Sequence, residues 1–205
     1  MPIYGIRAIA QVRNNILERS KITLELFTIL FFMTILSYLI LYVILFHLNL
    51  FVEYKTLIIL LSSMVLLTNI GGEWYFQGME NQSFLTIRYV SVRIISIIVL
   101  FLFVKTSDDL LIYCMILIIN NAGSNIFNIF FIIRSISFKE INFKKLNFLQ
   151  HGSPILKIFI ATISINIYAQ LDNLMIGSIA GDKYLALYTV PNKLIRYIIS
   201  FITVV

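Results

Sequence analysis

Six stretches of predominantly apolar residues dominate this sequence, each near the length that carries a helix across a bilayer. At 1.5 Å per residue, about twenty residues cross the hydrocarbon core. The stretches are Leu24 to Phe46, Thr56 to about Gly72, about Phe84 to Val104, Leu110 to Ile133, Pro154 to about Ala180, and one from near Tyr184 onward. Within hydrocarbon every backbone polar group must find its partner inside the segment, so these spans are expected to be helices. Composition agrees: 60% of the 205 residues are apolar or aromatic, 13% are charged, and the mean hydropathy is +0.92. A soluble chain could not cover its surface with so few polar groups, and disorder demands the opposite composition. The expectation is an all-α polytopic membrane helix bundle of about six transmembrane helices, and a soluble globular enzyme is excluded.

The basic residues give an orientation. With the N-terminus in the cytoplasm, the inner segments hold Arg7, Arg13, Arg19, Lys21, Arg88, Arg93, Arg134, Lys139, Lys144, Lys145 and Lys157. The outer loops hold Lys55, Lys105 and Lys183. That asymmetry fits six spans with both ends inside, and it explains the formal net charge of +6 without a nucleic-acid partner. Trp74, Tyr75 and Tyr89 are expected at the inner interface, where amphipathic rings sit. The opening residues lack a continuous apolar core, which argues against a signal peptide. Cys114 is the single cysteine and lies in an apolar run, so it reads as a small buried side chain. The sequence stops at Val205 inside an apolar run, which predicts an internal fragment of a longer protein.

Polar side chains inside apolar spans are costly and mark candidate function. Asn121, Asn125 and Asn128 are spaced i, i+4, i+7, which places them on one face of a regular helix. That face can be interhelical glue, with Ala122 and Gly123 allowing close approach, or the wall of a wet cavity suited to sugars. Lys193 and Arg196, three apart, share a face near mid-span. They read either as an anion site or as side chains that snorkel to an interface. Pro191 just before them could kink the helix. Arg93 reads as a positive-inside anchor or as the inner mouth of a cationic path. Asp172 lies far along the fifth span, beyond Asn166 and Gln170. It reads as an ion-pair partner, a carboxylate coupling transport to a proton or sodium ion, or an interfacial cap. Glu25 reads as interfacial, His47 and His151 as loop residues without ligand partners, and Gly177 and Gly181 as sites of close helix packing.

No paired-carboxylate, HExxH, Gly-rich phosphate loop or Ser/His/Asp pattern appears in the sequence. The expectation is therefore a protein that is not an enzyme, with no catalytic residues, no metal and no cofactor.

Several segments, in order along the chain, resemble one transporter family. Gly72-Glu73-Trp74-Tyr75-Phe76-Gln77-Gly78-Met79-Glu80 resembles the WxxQGxE segment of bacterial O-antigen and capsule repeat-unit flippases (Wzx type), of the multidrug/oligosaccharidyl-lipid/polysaccharide exporter superfamily. Lys105 to Asp109, followed by the asparagine-bearing helix, is similar to the next family segment. Ile167 to Gly177 is similar to the family's Y-x-x-x-D-x-x-M-x-G helix. Tyr188 to Lys193 is similar to its Y-x-x-A-x-K start, with Pro191 where alanine is usual. Tyr4 to Ala10 resembles the segment after the family's second helix.

The resemblance implies a MATE-like architecture in two bundles, of which this chain corresponds to family helices three to eight. Residues 1–134 would be the first bundle, 135–153 a basic cytoplasmic linker, and 154–205 the start of the second bundle. It further implies an inner-membrane flippase that moves an undecaprenyl-diphosphate-linked oligosaccharide by alternating access, with polysaccharide polymerase machinery as a partner. Arg93, Asn121, Asn125, Asn128, Lys193 and Arg196 would then contact substrate, and Asp172 would couple or pair. The rival readings are a drug/cation antiporter of the same superfamily, a membrane polysaccharide polymerase or ligase, and a non-functional fragment. Mid-span charge here is mainly basic, which disfavours the antiporter. The short outer loops disfavour a polymerase.

Overall fold

The computed structural model describes residues 1–47, 54–137, 141 and 146–203. Lys139, Lys144 and Lys145, and so much of the 135–153 linker, lie outside the described residues, as do loop residues 48–53. The described residues form two compact units, Met1–Ile155 and Leu156–Val205.

The first unit opens with α1 (Pro2–Gln11), a short helix whose proline sits in the first turn, where its missing N–H costs nothing. Gly5, Ala8 and Ile9 recur at i, i+3, i+4 and bury one face of α1 against α4 (Glu73–Gly78). A β-carbon at Gly5 would lie 2.8 Å from the Trp74 ring, and one at Gly78 would lie 2.8 Å from Ile9. Glycine on both helices thus sets how closely α1 and α4 approach. Tyr89 is exposed, whereas Trp74 and Tyr75 are buried in the protein core. They pack with Ala8, Ile9, Leu26, Leu30, Phe76, Leu85 and Ile132.

The spans follow. In α2 (Ile16–Tyr42) the Asn15 side chain caps the first turn by accepting from the N–H groups of Leu17 and Glu18, and a π-helical turn, Val43–His47, ends the span. His47 is thus helical, where the sequence suggested a loop. The helix α3 (Lys55–Gly71) is interrupted at Gly72, which takes φ of 51°, before α4 resumes. Residues Gln82–Phe103 form α5. The next span is built in pieces: α6 (Leu110–Ile118), a π-helical turn Ile119–Gly123, and α7 (Asn125–Ser135).

The helix α8 (Leu149–Ala180) begins five residues earlier than the sequence suggested, so Pro154 lies inside it. Its first turns belong to the first unit and its body to the second. Gly181, at φ of 86°, turns the chain into α9 (Asp182–Thr203). Gly177 lets α9 close in, since a β-carbon there would meet Leu185 at 3.2 Å.

Among the described residues five helical stretches are long and apolar enough to cross a membrane: Ile16–Phe46, Lys55–Gly78, Gln82–Phe103, Leu110–Ser135 and Leu149–Ala180. The sixth expected span is present as α9, 22 residues long, but it does not belong to this set. Asp182, Lys183, Lys193 and Arg196 dilute its apolar content. Large apolar side chains such as Phe31, Phe32, Phe101 and Leu102 are exposed along the spans, as a lipid-facing surface requires. The chain is an all-α polytopic membrane helix bundle.

Candidate polar cleft and a buried ionisable cluster

The second unit carries a polar cleft of about 200 Å³ between α8 and α9. Gln170, Asp172 and Asn173 line it from α8, and Tyr188, Thr189, Asn192, Lys193 and Arg196 line it from α9. Thr189, Asn192, Lys193 and Arg196 fall at i, i+3, i+4, i+7, so regular α-helical geometry puts them on one face. The Gly181 turn folds that face back onto α8. Tyr188 donates from its hydroxyl to Asp172 Oδ2 at 3.2 Å, and Asn173 Nδ2 donates to Gln170 Oε1 at 2.8 Å.

The cleft therefore holds two cations, one carboxylate, three amides and two hydroxyls. Such a set can bind an anion through charge-assisted hydrogen bonds and polyol hydroxyls through the amides. Of the residues singled out in the sequence, the structure brings together Gln170, Asp172, Lys193 and Arg196. Asn173, Tyr188, Thr189 and Asn192 had not been picked out; helical spacing, with Thr189 four before Lys193 and Asn192 four before Arg196, was the signal that could have found the last two.

The other candidates belong to the first unit. The asparagines do not share a face. The π turn Ile119–Gly123 inserts an extra residue into the helical repeat, which rotates Asn121 out of line. Asn121 is exposed and donates to its own helix at Leu117 O. Asn125 and Asn128 are buried, 2% and 0% exposed, with Asn128 Nδ2 donating to Asn125 Oδ1 at 3.4 Å. Asn125 packs on Gly71 of α3, and Asn128 Oδ1 has no partner among the described residues. Arg93 is exposed, donates to the Tyr89 hydroxyl one turn earlier, and lies over that ring with its guanidinium 4.2 Å from the centroid. Arg88, by contrast, is buried and pairs with Glu73 at 3.2 Å.

One further expectation is corrected: His151 is a helical residue with partners on both ring nitrogens, where the sequence suggested a loop. Glu25 is 0% exposed. His151 Nε2 lies 2.8 Å from Glu25 Oε2, and Tyr4 Oη lies 2.7 Å from His151 Nδ1. The same carboxylate accepts from the Asn147 N–H at 2.6 Å and from Gln150 Nε2 at 3.0 Å. Burial, and then the negative charge of Glu25, push the Tyr4 phenol above its ordinary range. A carboxylate at the start of an apolar span was the available signal. Among the described residues no three His, Cys, Asp or Glu side chains gather to hold a metal ion.

Fold and site together define a multi-pass membrane protein with a polar, mostly cationic cleft in its second unit. Residues 2–205 match the family described as polysaccharide biosynthesis protein, and the chain belongs to that family. Its general role is accordingly in polysaccharide synthesis or export. Neither the curated proteins nor the solved structures yielded a match.

Proposed function

We propose that this chain is a flippase that carries undecaprenyl-diphosphate-linked oligosaccharide repeat units across the inner membrane for O-antigen or capsule synthesis. The observation that carries the reading is the meeting of Lys193 and Arg196 with Gln170, Asn173, Asn192 and Tyr188 in one cleft. A lipid-linked oligosaccharide presents a diphosphate and a run of hydroxyls. Lysine and arginine match the first, and amides and a phenol match the second. Polar groups of this cost persist in membrane helices where they face a substrate path. The chemistry is transport, with no bond made or broken in the substrate. Alternating access by rocking of two bundles would move the head group while the lipid tail stays in hydrocarbon. The basic bias of the loops supports a cytoplasmic N-terminus.

The test is complementation of a flippase-null strain with the full-length gene carrying both Lys193→Gln and Arg196→Gln. Surface polysaccharide should fall by about tenfold or more at unchanged protein level, the loss expected for two charge-assisted contacts. Unaltered surface polysaccharide would remove the cleft from the transport path.

A further inference from the structure

The Tyr4–His151–Glu25 chain lies outside the cleft, and the transport reading makes no use of it. It joins Tyr4 from α1, Glu25 from α2, His151 and Gln150 from the head of α8, and Asn147 two residues ahead of that helix. Its place in the chain is informative. The boundary between the two compact units falls at Ile155 and Leu156, about one helical turn beyond His151, and α8 runs unbroken across it.

The hydrogen-bond pattern is that of a proton-holding pair. With Glu25 ionised, the His151 Nε2 that faces it carries a hydrogen, and Gln150 Nε2 lies 3.2 Å from the same nitrogen. The neutral ring then accepts the Tyr4 O–H at Nδ1. If the ring gains a second proton, the Tyr4 oxygen can turn to accept from Nδ1, so both states keep every partner. What changes is strength. The bond from a neutral ring to a carboxylate is already charge-assisted, and the extra proton adds to it the attraction of an imidazolium for a carboxylate away from water. A purely structural anchor at a fully buried position would do as well or better with an apolar pair, because desolvating charge is expensive. Buried ionisable groups in membrane transporters are the usual material of proton sites.

We propose that Glu25 and His151 form a proton-binding site that acts as a latch: with the extra proton bound, the head of α8 is fastened to α1 and α2, and loss of that proton loosens it. Among the described residues, the titratable groups that face the pair are Tyr4 from α1, Glu25 itself from α2 and His151 from α8; the amides of Asn147 and Gln150 are neutral. The fastening is present at low pH and fades as pH rises through the ring's titration.

The chain has two histidines, so direct observation is practical. In the full chain carrying His47→Gln, labelled with [15N]histidine in lipid nanodiscs, the ring signals report His151 alone. The expected result is a His151 titration that changes when Glu25→Gln is added. Hydrogen exchange supplies the second readout. Protection of the Asn147 amide, corrected for intrinsic exchange, should fall by about tenfold as pH rises through the His151 midpoint. In Glu25→Gln it should be low throughout. An identical midpoint in both proteins overturns the site. Should Glu25→Gln fail to fold, the decision passes to the His47→Gln protein alone, where Asn147 protection that ignores the His151 titration overturns the latch.

Discussion

Gly71 of α3 lies so close to Asn125 of α7 that a β-carbon at position 71 would stand 2.3 Å from Asn125 Cγ and 2.6 Å from Oδ1. No real side chain tolerates that approach, so the two helices meet at this point because one of them has none. Asn125 cannot retreat freely. It is buried, and its carbonyl oxygen accepts from Asn128.

Gly71→Ala is therefore expected to destabilise the first unit by about 1–3 kcal/mol, the usual cost of overpacking a tight contact. The measurement is thermal unfolding of the purified full chain in detergent. Asn125→Ala in the same background should recover part of the loss by vacating the space. A melting temperature unmoved by Gly71→Ala would show that the helices do not approach as described.

The spans were legible because hydrocarbon leaves the backbone no alternative to the helix, so apolar length alone marks them. Three things hid the rest. Counting residues along a helix assumes a regular repeat, and the π turn at Ile119–Gly123 breaks it, so the stripe Asn121, Asn125, Asn128 divides into one exposed and two buried side chains. Partners distant in sequence leave no local trace. Glu25 and His151 are 126 residues apart, and nothing near either one announces the other. Burial of an aromatic depends on what covers it, and Trp74 is covered by α1 only because Gly5 lets that helix settle on its ring. The cleft was partly legible because Asp172 and Lys193 flank a turn of very few residues, which leaves α8 and α9 little choice but to pack as a hairpin.

The turn before α6 makes a pH prediction. Asp109 Oδ2 accepts from the Lys105 N–H at 2.9 Å, the Thr106 N–H at 2.9 Å and the Thr106 hydroxyl at 3.1 Å. The backbone bond from Lys105, then that from Thr106, hold the Asp109 carboxyl below its ordinary range. A lowered carboxyl contributes order that is complete above the ordinary aspartate range and is lost as pH falls through the lowered value. Exchange of the Lys105 and Thr106 amides should accordingly be protected at neutral pH and lose protection only in strong acid. In Asp109→Ala protection should be low at every pH. Equal protection in the two proteins at neutral pH would refute the cap.

The carboxylate in the cleft separates two roles. Asp172 sits opposite Lys193 and Arg196 and receives the Tyr188 hydroxyl. If it mainly balances the cations, removing its charge frees them for a ligand anion, and Asp172→Asn should bind inorganic diphosphate more tightly. In a largely exposed cleft the gain is limited to about fivefold, since solvent screens the pair. Tyr188→Phe should move binding less, because it leaves the charge in place. Lys193→Gln together with Arg196→Gln should abolish diphosphate binding. Isothermal titration of the purified full chain in detergent measures all three. Weaker binding in Asp172→Asn would mean that the carboxylate organises the site through Tyr188 and does not merely neutralise it.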